Sequence, residues 1–160
     1  MPDPADVDTA ALRSYLPEEL DAPVTGIEVL HDGLNLTLGI STEREERACA
    51  LRRPNELRRT ALFTDLRREC RVLRRLRETA VPAPVPVAFC EDPPVLGDAF
   101  FVASYLDGTA VPLGSDPPRQ FRDAASRERV ADRLIDWLAR IHSLDVDRFE
   151  GTCEWRTPLD

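Results

Sequence analysis

The sequence predicts an α+β fold, in which a five-stranded antiparallel sheet packs against one main helix. Short apolar segments, separated by turn residues, follow one another in the order strand, strand, strand, helix, strand, strand. The helical segment, residues 60–79, carries leucines at helical spacing and arginines on its opposite side. A connector and one further long helix are expected after the sheet. The predicted parts are a helical segment (1–22), the sheet with its helix (23–108) and the connector with the last helix (109–160).

The part of the chain before residue 54 is predicted to form one short helix and three strands. Asp8 or Thr9 can cap the helix, whose end is expected near Leu16 because Pro17 follows it. The next segments alternate apolar and polar residues and are bounded by turn residues or by proline. The predicted strands are residues 24–30, 35–40 and 48–53.

The main helix, predicted over residues 60–79, has an apolar stripe made of Leu62, Leu66, Leu73 and Leu76. Glu69 falls within this stripe, so its carboxylate would lose solvent, which is costly in free energy unless a cation meets it. Two explanations stay open. Either Glu69 has a positively charged partner in a cleft, or the helix is rotated so that Glu69 reaches a polar rim.

The segments after the main helix predict an edge strand and an inner strand. Three prolines between Val81 and Val87 exclude a helix there and limit a strand at residues 85–90 to the edge of the sheet. Residues 91–98 are rich in proline and glycine and are predicted to form turns. The apolar segment 100–106 is then predicted to be the fifth strand.

The last periodic segment predicts a long helix that Ser126 caps and that ends near Ile141. Its apolar residues share one face, which we expect to pack inward with Trp137 in the core. The residues of this face are Val130, Leu134, Trp137, Leu138 and Ile141.

The charge pattern argues against nucleic acid as the main partner. The formal net charge is −8, and all 21 basic residues are arginine. The arginines between residues 52 and 77 are interleaved with carboxylates, which is typical of a solvated helix face. An acidic surface without lysine indicates either a GC-rich genome or a high-salt, halophile-like cytoplasm, and composition leaves both explanations open.

Neither a membrane span nor a metal site is expected. No run of about 18 apolar residues exists, and the acidic N-terminus is unlike a signal peptide, which favours a cytoplasmic location. The four cysteines lie far apart without paired spacing, and only two histidines accompany them. We therefore expect reduced thiols and no zinc.

The segment Cys49-Ala50-Leu51-Arg52 lies on the third predicted strand, just before the main helix. It resembles the protein-kinase pattern Val-Ala-Ile-Lys, in which the strand cation pairs with nucleotide phosphates and with a glutamate of the next helix. By this resemblance, Arg52 would be the cation that Glu69 requires. The small side chain of Ala50 would face the adenine.

Seven short motifs are spread over about residues 20–150 of the chain. They are Asp32-Gly33-Leu34-Asn35-Leu36-Thr37, Leu51-Arg52-Arg53-Pro54, Arg68-Glu69-Cys70-Arg71-Val72-Leu73, Val81-Pro82-Ala83-Pro84, Gly97-Asp98-Ala99-Phe100-Phe101-Val102, Tyr105-Leu106-Asp107-Gly108 and Leu138-Ala139-Arg140-Ile141-His142-Ser143-Leu144-Asp145. In content and order they resemble the aminoglycoside phosphotransferase and choline kinase-like family. The similarity is greatest to the phosphotransferase domains that are fused to some acyl-CoA dehydrogenases.

The resemblance implies a protein-kinase-like small lobe, followed by a connector and the first helix of a large lobe. Gly33 and Asn35 would lie in the loop over the phosphates, while Arg52 would face the phosphates and Glu69 would hold it in place. The implied ligand is ATP or GTP with Mg²⁺, and the implied reaction is phosphate transfer to a hydroxyl group. The resemblance also implies a hinge at Ser104 to Leu106, whose backbone groups would meet the base.

Departures from the family pattern bear on activity. The phosphate loop has a single glycine, and Arg52 replaces the usual lysine. The only asparagines are Asn35 and Asn55, so the asparagine that the family places after its catalytic aspartate is missing. We therefore assign no catalytic or metal-binding residue and expect the chain to be truncated before the catalytic loop and inactive alone.

An alternative interpretation is a non-catalytic interaction module. A small lobe without its large lobe would expose an apolar underside to partners. That surface could pair with a separately encoded catalytic lobe or with a second copy of the chain. A truncated reading frame without function is the remaining alternative.

Overall fold

The computed structural model describes residues 7–55, 65–109 and 116–152. The helices are α1 (Thr9–Leu20), α2 (Leu66–Leu76), α3 (Pro93–Leu96) and α4 (Ala124–His142). The strands are β1 (Val24–Asp32), β2 (Asn35–Thr42), β3 (Cys49–Pro54), β4 (Pro86–Cys90) and β5 (Phe100–Ser104). Two 3₁₀ turns, Arg119–Phe121 and Val146–Phe149, lie on either side of α4.

The five strands form one sheet in the order β1-β2-β3-β5-β4, with every neighbouring pair antiparallel. The predicted α+β fold is thus confirmed. β4 lies at an edge, as predicted from the prolines of this segment, because a proline has no backbone N–H to donate to a neighbouring strand. β3 lies at the centre, where Ala50 is paired with Gly39 of β2 and with Ala103 of β5.

The main core fills one face of the sheet, beneath α1 and α3. Leu12 and Leu16 of α1 are fully buried there, and the ring of Tyr15 meets that of Phe100 edge-on at 5.7 Å. Side chains alternate between the two faces of a strand, so every second strand residue contributes to this core. The fully buried strand residues are Leu38, Ile40, Leu51, Phe100 and Val102.

A smaller core lies on the opposite face, between α2 and the strands β4 and β5. Leu66 and Cys70 of α2 are buried against Phe101 and Ala103 of β5. Leu73 joins this core, whereas the predicted stripe residue Leu62 lies outside the described residues. Among the described elements, no helix covers this face of β1, β2 and β3, although Glu69 of α2 reaches Arg52 at its boundary. We call that uncovered part, made of Glu28, Leu30, Thr37, Gly39, Ala50 and Arg52, the open face.

α1 continues beyond Pro17, where the sequence predicted its end. Pro17 removes one backbone hydrogen bond, but Leu20 beyond it packs on the main core and makes the longer helix favourable. At the other end, the carboxylate of Asp8 accepts a first-turn N–H at 2.9 Å, which confirms the predicted cap. Asp21 ends the helix in the left-handed conformation, with φ at 47°.

Two boundaries near β5 also differ from the prediction. The predicted turn region contains the single helical turn α3, whose Leu96 is buried in the main core. β5 ends at Ser104 and not at Leu106. The neighbouring strand explains this, because β3 begins at Cys49, directly opposite Ser104, and the pairing continues beyond it only as a hydrogen bond from Tyr105 to Ala48 among the described residues.

α4 differs from the prediction in its cap and in its burial. Asp123, and not Ser126, caps the helix, since its carboxylate accepts the N–H of Ser126 at 2.8 Å. The apolar face does not pack inward within the described part of the chain, where Leu134 is 59% exposed. Trp137 is only half-buried, with the Arg140 guanidinium 4.8 Å from its ring centre, so its assignment to the core is wrong.

Candidate functional site

The predicted ion pair between Arg52 and Glu69 is present at the boundary between the open face and α2. Nε of Arg52 lies 3.3 Å from Oε2 of Glu69. That Nε is buried without a well-aligned hydrogen bond, so the contact is an attraction between charges more than a directed bond. The Arg52 side chain is nevertheless 39% exposed, and solvent therefore reaches its other atoms.

Burial affects the pKa of the Glu69 carboxyl more than the neighbouring cation does. Loss of solvent around the carboxyl raises its pKa above the ordinary value, while the charge of Arg52 opposes this rise. Keeping Glu69 ionised therefore costs free energy, and the attraction to Arg52 offsets only part of that cost. The pair mainly fixes the positions of its two members, because α2 holds Glu69 beside Arg52 of β3. The two charges do not fully neutralise each other.

Small residues form the floor of the open face. Glu28, Gly39, Ala50 and Ala103 are paired in a line across four neighbouring strands. A β-carbon added at Gly39 would lie 3.2 Å from atoms of Glu28 and Leu30, so these two side chains lean over the glycine. Ala50 is half-buried, whereas Gly39 is buried beneath these side chains and Ala103 belongs to the smaller core under α2. Ala50 is thus the accessible small residue of this floor, and a flat ring could lie against it.

The hinge predicted at Ser104 to Leu106 retains one free backbone donor. The N–H of Ser104 donates to Val85 at 2.9 Å, and that of Tyr105 donates to Ala48 at 3.3 Å. The Leu106 N–H has no hydrogen-bond partner in the described part of the chain, and the residue is 53% exposed. Leu106 is thus the hinge residue that can still donate to a ligand.

Hydrogen bonds from Asn55 fix the β1–β2 turn that holds Gly33. Nδ2 of Asn55 donates to Asp32 at 2.6 Å and to the Gly33 carbonyl at 3.2 Å, and its backbone N–H donates to Leu34. Within the turn, the Gly33 N–H donates to the Asn35 carbonyl at 3.2 Å. Asn35 is buried, and its side-chain oxygen has no partner in the described part.

The predicted site residues therefore occupy three places along the open face. Arg52 and Glu69 are in contact, and Ala50 lies two residues from Arg52 on the same side of β3. Gly33 and Asn35 lie at the turn end, while Ser104 and Leu106 lie at the hinge end. The sequence reasoning missed Asn55, whose signal was its position directly after the strand-ending Pro54.

Arg47 is a second residue that the sequence reasoning missed. Its guanidinium contacts both carboxylate oxygens of Glu28, and it lies 5.9 Å from the ring centre of Tyr105 in the hinge. Arg47 therefore connects the floor of the open face to the hinge. Its φ of 51° is left-handed, so its backbone also makes the turn before β3.

The described residues offer neither a metal centre nor a membrane span. Within residues 7–55, 65–109 and 116–152, no group of three or more His, Cys, Asp or Glu side chains is placed to hold a metal ion. None of the described helices is long and apolar enough to cross a bilayer.

Comparison with known proteins gives one family match and several relatives. Residues 27–160 match the family model described as the phosphotransferase enzyme family. Acyl-CoA dehydrogenase family member 10 of Mus musculus is 30% identical over 81 residues, which are 51% of this chain and 7% of that protein. The probable acyl-CoA dehydrogenase IBR3 of Arabidopsis thaliana is 35% identical over 95 residues, which are 59% of this chain and 11% of that protein.

One solved structure has the same fold. It is a Ralstonia eutropha protein assigned to the aminoglycoside phosphotransferases, and it superposes with a TM-score of 0.63 at 22% identity. The match covers 90% of this chain and 40% of that structure. The chain thus spans well under half of the structure and about a tenth or less of the two curated relatives it matches.

Proposed function

Because the chain belongs to the phosphotransferase enzyme family, we propose that it is a nucleotide-binding lobe whose open face binds ATP or GTP. The observation that carries this proposal is the Arg52–Glu69 ion pair, which holds a partly exposed guanidinium at the boundary of an uncovered sheet face. A guanidinium can donate two parallel hydrogen bonds to phosphate oxygens, and Glu69 limits the positions from which it does so.

The remaining groups of the open face have complementary roles in this proposal. The base lies against Ala50, where a larger side chain would exclude it, beside the Glu28 and Leu30 side chains that cover Gly39. The edge of the base forms hydrogen bonds with the backbone of the predicted hinge, where the Leu106 N–H is available. The phosphates extend from there toward Arg52 and the turn that Asn55 fixes.

The residues described here fit the base and the phosphates of a nucleotide, but they do not fit Mg²⁺. No acidic cluster that could hold a metal exists within the described ranges. In phosphotransferases Mg²⁺ neutralises charge on the phosphates. We assign that ion no ligand in this chain, and it would accompany the nucleotide.

We further propose that this chain alone transfers no phosphate. Neither asparagine is free to act as the family's metal-binding asparagine, because Asn35 is buried at the start of β2 and Asn55 fixes the turn. A purified sample incubated with γ-labelled ATP and pooled hydroxyl acceptors should show no transfer above background. Turnover that disappears in Arg52→Ala would refute this part of the proposal.

Equilibrium binding tests the proposal itself. We expect weak binding of Mg²⁺-ATP to the wild-type protein, since solvent reaches the phosphates on one side and weakens every charge contact. Arg52→Ala should weaken it further by about tenfold, the effect of one charge-assisted contact. Arg71→Ala, on the exposed side of α2, is the matched control. Equal affinities for Arg52→Ala and wild type would contradict the proposal.

A cytoplasmic location is also proposed. Cys49, Cys70 and Cys90 are buried and form no disulfide, which is typical of proteins that fold in a reducing compartment.

A second candidate function, an interaction module, is supported by the exposed apolar face of α4. Leu134 is 59% exposed and Ile135 is 63% exposed, and the neighbouring turn of the helix adds Leu138 at 44%. Apolar surface of this kind on a long helix is typical of a site that meets another protein surface. Sedimentation velocity tests it. Association that Leu134→Glu abolishes and Arg133→Glu leaves unchanged would support pairing with a second copy.

A further inference from the structure

We propose that His31 and Thr37 bind nucleotide phosphate together with Arg52, as one row of donors across three strands. This inference rests on the proposed nucleotide site and adds to it two residues to which the family resemblance gave no role. We call the three side chains the donor row. Imidazole, hydroxyl and guanidinium groups can all donate hydrogen bonds to phosphate oxygens.

The strand register places the donor row on one face of the sheet. His31 of β1 is paired with Thr37 of β2, and Thr37 is paired with Arg52 of β3. Directly paired residues in antiparallel strands project to the same side, with their β-carbons about 5 Å apart. The row therefore extends over about 10 Å of the open face, enough to contact more than one phosphate group.

A β-bulge in β1 is what brings His31 to this face. The register between β1 and β2 shifts after Val29, so that Leu30 has no partner and His31 is opposite Thr37. In an unbulged ladder, His31 would be opposite Leu36, whose side chain is buried in the main core. Bulges commonly redirect a side chain toward a functional surface.

The His31 imidazole lies above the backbone of Gly33. A β-carbon added at Gly33 would collide with the ring, so the glycine makes the space that His31 occupies. The turn contains only this one glycine, which limits how many backbone N–H groups can approach a phosphate. In our proposal the imidazole supplies a donor that a glycine-rich loop would supply through its backbone.

The donors of the row are available, and the neighbouring carboxylates are engaged elsewhere. Within the described residues, the side chains of His31 and Thr37 have no hydrogen-bond or ion-pair partner. Asp32 accepts a hydrogen bond from Asn55 and is opposite Leu36, on the other side of the strand. Glu28 is held by Arg47, and Glu69 by Arg52 itself.

The test compares ATP with adenosine, which has the same base and sugar but no phosphate. Binding to the full 160-residue chain is followed by two-dimensional NMR, which detects millimolar affinities. His31→Leu and Thr37→Val should each lower the affinity for ATP by about fivefold and leave that for adenosine unchanged. His31→Gln, which keeps an N–H donor, should restore part of the loss. His142→Leu, at the end of α4, is the matched control.

Each result bears on the inference. A phosphate-specific loss in both variants supports the donor row. Equal losses for ATP and adenosine would show a structural role and overturn the inference, as would wild-type affinity in both variants. In that last case a loss confined to Arg52→Ala would leave the proposed nucleotide site intact. Failure of the wild-type protein to bind ATP at all would overturn the proposed function and this inference together.

Discussion

Arg52 and Glu69, which are 17 places apart in the sequence, approach within 3.3 Å and join β3 to α2 at the boundary of the open face. Burial raises the pKa of Glu69 despite this cation. The pair is thus better suited to placing a guanidinium than to stabilising the fold, since attraction between the charges does not fully offset the loss of solvent.

The two members of the pair should have unequal effects on stability. Arg52→Ala leaves a partly buried carboxylate without its cation and should lower the free energy of unfolding by about 1 kcal/mol, because both side chains remain about one-third exposed. Glu69→Gln removes the costly charge and should change the free energy of unfolding by less than Arg52→Ala does. Urea denaturation at pH 7 measures both, with Arg71→Ala as the surface control. A larger loss for Glu69→Gln than for Arg52→Ala would contradict this explanation.

The pH dependence of stability should carry the signature of Glu69. Its pKa is higher in the folded protein than in the unfolded chain, so the folded state binds more protons between the two values. The stability contribution of Glu69 is therefore fully present below the ordinary glutamate range, about pH 4 to 5, and is lost as the pH rises through the folded pKa.

Comparison of the wild type with Glu69→Gln isolates this effect. From pH 4 to pH 7, the wild type should lose stability relative to Glu69→Gln, as measured by chemical denaturation at each pH. A difference in stability that is constant across this range, or that changes in favour of the wild type, would show that the attraction to Arg52 affects the pKa of Glu69 at least as strongly as burial does.

Salt should reveal the origin of the acidic surface. The net charge is −8 and lysine is absent, so carboxylates repel one another across much of the surface. If this composition is an adaptation to a saline cytoplasm, screening should raise the melting temperature from low salt into the molar range. A melting temperature that is unchanged or falls over this range would favour biased base composition as the cause.

Local patterns were sufficient to predict the parts of the fold that depend on a single segment. The prolines of residues 82–86 predicted the edge position of β4, which is a property of the residues themselves. Glu69 within an apolar stripe left two explanations open, and the resemblance of residues 49–52 to the kinase pattern was needed to predict Arg52 as its partner. The fold class could therefore be predicted from local patterns, and the ion pair from those patterns together with the resemblance.

Features that depend on how segments meet could not be predicted in this way. Periodicity identifies the apolar face of α4, but it does not show which surface meets Leu134, which is exposed in the described structure. The bulge at Leu30 depends on the pairing of two strands, and so the position of His31 did not follow from the sequence. The hydrogen bonds of Asn55 join residues far apart in the chain, so its position after Pro54 does not show which groups it binds.

Chemical-shift mapping of the labelled protein tests most directly whether the open face binds a nucleotide. On titration with Mg²⁺-ATP, the largest shifts should occur at the backbone amides of Gly33, Gly39, Ala50 and Leu106, and they should diminish in Arg52→Ala. The amides of α1, which covers the opposite face, should not move. Shifts centred on α1 or α4, or no saturable shift at millimolar nucleotide, would contradict the proposed site.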